Sequence, residues 1–230
     1  ELDFNCPQLF VSSASFVGQR AAILYPEIVK DVIARCKDMV RIPIGLKPAV
    51  NPADPYPLLE AIRASKADFV CLCYTPSALS GIDLDTGKPF LPAAGTGISS
   101  PMRRLVNYRY VAITAQTLGS DSPSIAASGH AMSWRDCVEY VMYGCTAVQV
   151  NQVLMRKGPE VISLINRDLA AFLEKKGYAS LMEIRGMALP YLFPQQRFYE
   201  IYAQQKGKTE GVIGPEVEIQ LCNQCLLCTK

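Results

Sequence analysis

Segments with the apolar pattern of a β-strand alternate with amphipathic helical segments along most of the chain, and this alternation restricts the fold more than any other feature. Strands are predicted at residues 1–5, 42–46, 67–73, 124–127 and 146–150. Each is followed by a segment with helical periodicity, which gives five strand–helix units. Such a repeat is typical of a parallel sheet covered by helices. The pattern alone allows both a doubly wound sheet and a (β/α)8 barrel.

A complete barrel requires eight units and about 250 residues. Only five units fit before the last part of this 230-residue chain. In a TIM-type barrel, three units would therefore be absent here or lie on another chain, and short helices and a Cys-rich tail follow the five units that are present. We expect a missing N-terminal segment or a partner subunit to complete it, because five units alone leave strand edges unpaired.

Local signals mark the limits of several elements. Ser133 and Asp136 have the spacing of a helix capping box, and that helix is predicted to end near Gly144. Pro159 favours the first turn of the next helix. Gly87 predicts the turn of a hairpin over residues 82–88. After Gly177 the pattern predicts two short helices, near residues 181–187 and 195–205.

The composition excludes several classes of protein. Half of the residues are hydrophobic, the net charge is +2, and charges of both signs are interspersed. Neither nucleic acid nor an anionic membrane is expected as a partner, and no apolar segment reaches the roughly 18 residues of a membrane span. The nine cysteines are odd in number and mostly lie in apolar segments, so the six scattered ones are expected in the core. A cytoplasmic, reducing location is therefore predicted.

The other three cysteines, Cys222, Cys225 and Cys228, form a C-x2-C-x2-C motif. This spacing opens the ligand series of a bacterial ferredoxin, whose next cysteine comes four residues later. We predict an iron–sulfur cluster of the 4Fe–4S type that further sequence completes. A zinc site shared with another chain and an unmetallated thiol cluster are the alternatives.

The strand ends, taken together, resemble the FMN-binding barrel of the dihydroorotate and dihydropyrimidine dehydrogenases. The resemblance rests on the motifs ELDFNCPQ (1–8), KP (47–48), DLDTGKP (83–89), GCTAVQV (144–150) and GYASLMEIRG (177–186). These follow in the order of the later five units of that barrel. The implied organisation is a barrel portion over residues 1–188, a helical extension or linker over 189–215 and a Cys-rich tail over 216–230.

The resemblance implies a substrate site around Cys6. This thiol would exchange a proton with the substrate carbon beside the one that passes hydride to flavin N5, and a thiol pKa near 8.5 suits that role. A buried structural cysteine is the alternative. Asp3, Gln8, Tyr74 and Thr75 are the implied substrate ligands. Because the first three differ from the residues usual in the family, we expect a different planar cyclic amide or a related unsaturated carbonyl compound.

The resemblance also implies an FMN site. Lys47 would lie beside flavin N1, where a fixed cation stabilises the anionic reduced ring. The phosphate would rest on backbone N–H groups after the last two strands. His130, the only histidine, replaces a usual glycine; it would crowd the phosphate or donate to it, and a turn histidine without a ligand is the alternative. The remaining implied cofactor residues are Gly97, Ser99, Ser100, Ser128, Gly129, Asn151 and Gln152.

The sequence therefore predicts an FMN-dependent oxidoreductase that acts on CH–CH bonds. Electrons would be relayed through iron–sulfur to an NAD(P)H module or a ferredoxin, within an oligomer. The alternative is a non-catalytic or electron-transfer scaffold subunit with an altered flavin barrel. A weaker alternative is an unrelated α/β enzyme that binds a phosphorylated metabolite.

Overall fold

The computed structural model describes residues 1–4, 26–48, 50, 54–92, 96–119 and 122–193. The predictions for Cys6, Gln8, the predicted helix at 195–205 and the three clustered cysteines lie outside these residues. Residues Glu1–Leu189 form one compact unit, and a second begins at Pro190.

Short strands and longer helices alternate through the described residues. The strands are β1 (Leu2–Asp3), β2 (Gly45–Lys47), β3 (Phe69–Leu72), β4 (Ser77–Ala78), β5 (Thr96–Gly97), β6 (Ser124–Ser128) and β7 (Ala147–Gln149). The helices are α1 (Pro26–Met39), α2 (Tyr56–Ser65), α3 (Pro101–Leu118), α4 (Trp134–Met142), α5 (Gln152–Lys157), α6 (Val161–Lys176) and α7 (Leu181–Ile184), with a 3-10 turn at Leu189–Tyr191.

Five of the strands form one parallel sheet in the order β1-β2-β3-β6-β7. The α/β class predicted from the sequence is therefore confirmed. Among the described strands, the order in the sheet is also the order along the chain, as in a (β/α)8 barrel. A doubly wound sheet would instead reverse its strand order at a switch point.

The hydrophobic core lies between the sheet and its helices. Leu46, Val70 and Ile125 are fully buried on β2, β3 and β6, and Val29 and Ile33 are fully buried on α1. Burying each such side chain contributes about 1.5–3 kcal/mol to the hydrophobic free energy of folding. The predicted core positions of the scattered thiols are confirmed for Cys71, Cys73, Cys137 and Cys145.

One glycine shows how closely neighbouring strands pack. Gly45 on β2 is paired with Phe69 on β3. A Cβ atom at position 45 would lie only 2.2 Å from the Phe69 ring. Because Gly45 has no side chain, β2 leaves room at this position for the Phe69 ring on β3.

An excursion follows β3 at the carboxyl edge of the sheet. The predicted hairpin is confirmed there: Ile82 pairs with Pro89 in antiparallel fashion, and Gly87 turns the chain with φ +67°. β4 and β5 form a second, antiparallel pair, which the sequence patterns did not predict.

Several predicted boundaries were wrong by a few residues. The strand predicted from Ile42 begins only at Gly45, and Ile42 is exposed. Val40 continues the four-residue apolar spacing of Ile28, Val32 and Cys36, which predicts a longer helix, but α1 ends at Met39. Pro159 precedes α6 rather than occupying its first turn. None of the described helices is long and apolar enough to cross a membrane.

Candidate functional site

The carboxyl ends of the parallel strands bring several of the predicted site residues to one edge. Asp3 ends β1 and Lys47 ends β2, and the two residues are directly paired in the sheet. Lys47 Nζ donates a hydrogen bond to Asp3 Oδ2 at 3.0 Å, which makes this contact a salt bridge. The ammonium group of Lys47 is thus held in place at the carboxyl edge of the sheet by the neighbouring carboxylate.

The pKa of Lys47 reports the balance around this pair. Burial alone would lower the pKa of the ammonium group, but the hydrogen bond and the negative charge of Asp3 outweigh it. Smaller contributions from Cys73 and Cys71 also raise this pKa. The net result is a pKa above the ordinary value for lysine, so Lys47 remains a cation at neutral pH.

Two thiols lie on and just after β3. Cys71 is fully buried and donates to Gln149 Oε1 at 3.2 Å. Burial raises the pKa of the Cys71 thiol to about 12. Cys73 accepts a hydrogen bond from Arg103 Nη2 at 2.8 Å. A guanidinium group donates only, so Cys73 presents a sulfur lone pair to this arginine.

The main chain of Tyr74 is fixed by α3. Asn107 Oδ1 accepts from the Tyr74 N–H at 2.7 Å, and Asn107 Nδ2 donates to the Tyr74 carbonyl at 2.9 Å. Arg103 Nε donates to the same carbonyl at 3.1 Å. The Tyr74 ring packs edge-on against Tyr110, with centroids 5.5 Å apart. Part of the Tyr74 ring is therefore committed to packing.

Thr75 and Gly97, predicted as substrate and cofactor residues, are in contact. A Cβ atom at Gly97 would lie 2.7 Å from Thr75 Cγ2. The antiparallel pairing of β4 with β5 brings these two segments together. Gly97 is thus required by close packing against Thr75 at this place.

Three more predicted residues meet near the ends of β6 and β7. Ser99 Oγ donates to Gln152 Oε1 at 3.1 Å, and the Gln152 side chain is hydrogen-bonded to His130. Asn151 precedes α5 and uses its carbonyl to accept the N–H groups of Leu154 and Met155. Ser100 precedes α3 and makes no side-chain cap there.

His130 has an unusual backbone and an unpartnered nitrogen. Its φ is +59°, a left-handed conformation that few non-glycine residues adopt. Its Nδ1 is buried and has no hydrogen-bond partner among the described residues. Burial lowers the pKa of the imidazole, the charges of Arg104 and Arg156 add to this, and the Gln152 hydrogen bond and Asp136 oppose it. The neutral ring is therefore favoured at pH 7.

A buried ion pair lies beside this loop. Arg104 on α3 forms a salt bridge with Asp136 on α4, and Asp136 is buried. The Nε of Arg104 is buried and also has no partner within the described part of the chain. One unpartnered buried nitrogen, His130 Nδ1, thus lies in the loop after β6, and a second, Arg104 Nε, belongs to the side chain that pairs with Asp136.

Gly129 is packed between two side chains. A Cβ atom there would lie 2.7 Å from Asn107 Nδ2 and 2.8 Å from Tyr140 Oη. Tyr140 Oη donates to the Gly129 carbonyl at 2.8 Å. The next residue toward the sheet, Ser128, is paired with Gln149 on β7.

Sequence reasoning missed Arg103, Arg104, Asn107 and Tyr140. Asn107 carried a usable signal, since it occupies a core position in the helical stripe that continues through Val111, Thr114 and Leu118. A carboxamide in such a stripe requires buried hydrogen-bond partners. The two arginines carried no comparable signal, because adjacent charges at a helix start are common on surfaces.

Comparisons with known proteins identify sequence relatives of this chain. The sequence model of a family described as dihydroorotate dehydrogenase matches residues 5–173. A relative from Methanothermobacter thermautotrophicus, named dihydroorotate dehydrogenase B (NAD(+)), catalytic subunit, is 30% identical over 188 residues, which are 82% of this chain and 59% of the relative.

Similarly named subunits of other organisms give the same result. The subunit of Methanosarcina mazei is 33% identical over 190 residues, which are 82% of this chain and 56% of the relative. The subunit of Thermococcus kodakarensis is 32% identical over 189 residues, 82% of this chain and 59% of the relative. The chain therefore spans less than two thirds of the length of these relatives.

Proposed function

The chain belongs to the dihydroorotate dehydrogenase family, and we propose that it forms the substrate-binding and flavin-binding part of an FMN-dependent oxidoreductase. The reaction is the oxidation or reduction of a CH–CH bond in a planar cyclic amide or a related unsaturated carbonyl compound. When bound, FMN supplies the two-electron carrier at its N5 position.

The observation that carries this proposal is the Lys47–Asp3 pair at the ends of neighbouring parallel strands. Ligands of open and closed α/β sheets bind at this edge. A fixed ammonium group there stabilises negative charge on a reduced ring at no cost of reorganisation. Because its pKa is raised, Lys47 retains that charge over the whole physiological pH range.

The residues around the loop after β6 fit the phosphate end of FMN. His130 Nδ1 and Arg104 Nε are buried nitrogens without partners among the described residues. A buried polar group without a partner is unfavourable. A phosphate oxygen would accept from Arg104 Nε, and from His130 Nδ1 in the tautomer that carries its proton on that nitrogen. Since the neutral imidazole is favoured, His130 would contribute a hydrogen bond rather than a full charge.

The proposed substrate site lies on the other side of this edge. Asp3 accepts hydrogen bonds only, which suits an N–H group of a cyclic amide. Tyr74 and Thr75 follow the neighbouring strand β3, and we assign them to the same site. Cys6 remains the proposed proton carrier: as a thiolate it takes the proton from one carbon while the hydride leaves the adjacent carbon.

The proposed partners follow from the relatives and from the sequence. The relatives are named as the catalytic subunit of dihydroorotate dehydrogenase B (NAD(+)), so we propose an electron-transfer subunit as the partner of this chain. The cysteine motif at residues 222–228 would hold an iron–sulfur cluster on that route. We also propose that a preceding segment or a second subunit supplies the strands that complete the barrel.

The test uses the intact protein with its partner subunits. Purified protein is expected to show flavin absorbance and to release FMN on acid precipitation. Lys47→Met should retain FMN, but the rate at which substrate reduces the bound FMN should fall about tenfold or more. Lys88→Met in the exposed hairpin should match the wild type in both respects. A colourless protein that binds no added FMN would contradict the proposal. Bound FMN that substrate fails to reduce in the wild type would favour a non-catalytic scaffold.

A further inference from the structure

Asn107 is a buried carboxamide that connects two of the strand-end loops. It is fully buried on α3, where an unpartnered amide is strongly unfavourable. Its two donor hydrogens go to the carbonyls of Tyr74 and Arg103, at 2.9 and 2.8 Å, and its oxygen accepts from the Tyr74 N–H. The side chain thus pairs with the Tyr74 peptide as a neighbouring strand would.

The same side chain also sets the position of the loop after β6. Gly129 packs directly on the Asn107 amide, because even a methyl group at position 129 would lie 2.7 Å from Nδ2 and 2.9 Å from Cγ. Tyr140 holds Gly129 from the other side through its hydrogen bond to the Gly129 carbonyl. These contacts oppose movement of the loop after β6 toward α3 and of the loop after β3 away from it.

We propose that Asn107 is a positioning residue that fixes the Tyr74 loop and the Gly129 loop relative to each other. This inference rests on the proposed function, in which Tyr74 borders the substrate and Gly129 borders the FMN phosphate. One side chain that sets both loops couples the geometry of the substrate end to that of the phosphate end. Its loss weakens the binding of both ligands although it touches neither.

The experiment compares Asn107→Leu with Thr114→Val in the intact protein. Leucine has the same branched arrangement of heavy atoms as asparagine but makes none of its hydrogen bonds. Thr114 is buried on the same stripe of α3, two turns further on, so Thr114→Val controls for a general change in this helix face. The readouts are amide hydrogen exchange of peptides, the dissociation constant for FMN from flavin fluorescence, and the substrate KM.

In Asn107→Leu, we expect exchange to rise about tenfold in peptides covering Tyr74 and Gly129 but not in peptides from α6, because the Tyr74 N–H has lost its acceptor. FMN affinity should fall about tenfold and KM should rise with it. Thr114→Val should stay within about twofold of the wild type. Equal behaviour of the two variants, or faster exchange spread over the whole sheet, would overturn the positioning role.

Two further variants keep the inference testable if Asn107→Leu does not fold. Asn107→Ser shortens the side chain so that it no longer spans the Tyr74 peptide, and Gly129→Ala displaces the same contact from the opposite side; both should show the paired changes. Collapse of every variant would mean a purely structural role and would overturn the inference. If the wild type binds no FMN, the proposed function fails, while hydrogen exchange alone still decides whether Asn107 couples the loops.

Discussion

At the scale of single residues, the Lys47–Asp3 pair predicts a specific response to alkaline pH. The pKa of Lys47 is raised above 10.5 because Asp3 outweighs the effect of burial. The stabilisation from this pair is therefore complete below pH 10.5 and is lost as the pH rises through the higher, folded-state pKa. Since both side chains are partly exposed, we expect it to contribute at most about 1 kcal/mol.

The measurement is thermal unfolding between pH 8 and 11.5 for the wild type and Asp3→Asn. The difference in unfolding temperature between the two proteins should be constant up to about pH 10.5 and should become smaller above it, where Lys47 loses its proton. Asp83→Asn is the control, because Asp83 accepts from backbone N–H groups of the hairpin turn and from the Thr86 side chain, and forms no salt bridge with any of the described residues. If the difference between the wild type and Asp3→Asn depends on pH no more than the difference for Asp83→Asn does, the pair contributes nothing to stability.

Residues at this scale differed in how well the sequence predicted them. The position of Lys47 was predictable because it ends an apolar strand, where parallel strands place functional side chains, while its role was implied by the family resemblance. Arg103 was not, since its contacts with Cys73 and Tyr74 join positions 29 and 30 residues apart in the chain. Contacts across such separations arise from the packing of a helix on a strand, which periodicity within one segment does not report.

At the scale of elements, two capping boxes allow a matched comparison. Asp136 at α4 and Glu183 at α7 each accept two backbone N–H groups just before their helices. Asp136 additionally pairs with Arg104 and is buried, while Glu183 is exposed. We expect Glu183→Ala to lower the free energy of unfolding by about 1 kcal/mol. Asp136→Ala should cost about 3 kcal/mol, because it also leaves the Arg104 charge without its carboxylate.

Urea unfolding measures both losses. Arg104→Leu combined with Asp136→Ala should lose less than the sum of the two single variants, because the uncompensated arginine is then absent. Equal losses for Asp136→Ala and Glu183→Ala would show that only the caps matter and that the ion pair is neutral.

Elements were predicted well where their own sequence carries their stabilisation. The capping box at Ser133 and the apolar segment of β3 are of this kind, and both lie where the sequence placed them. α5 was missed because its six residues are too few to show a helical periodicity. β4 and β5 were missed because two-residue strands separated by the hairpin have no periodicity of their own. The fold class was thus predictable, while the short elements that shape the strand-end loops depend on tertiary contacts.

At the scale of the whole molecule, the buried thiols report how the sheet opens. Cys71 lies on β3, which is paired with strands on both sides, and Cys145 lies just before β7, whose only partner among the described strands is β6. Burial raises the pKa of the thiol of Cys71 to about 12 and that of Cys145 further still. Because the thiolate is the reactive form, neither should be alkylated at pH 8 while the fold is intact.

Since Glu1–Leu189 form one compact unit, we expect Cys71 and Cys145 to become reactive at the same urea concentration. Iodoacetamide labelling with peptide mass spectrometry at increasing urea measures this, and the half-buried Cys36 on α1 serves as the thiol that reacts first. Earlier labelling of Cys145 than of Cys71 would instead mean that β7 detaches before the centre of the sheet. That order would also place the Ser128–Gln149 pairing, next to the proposed phosphate loop, in the least stable part of the molecule. Flavin added before urea should then delay the labelling of Cys145 more than that of Cys71.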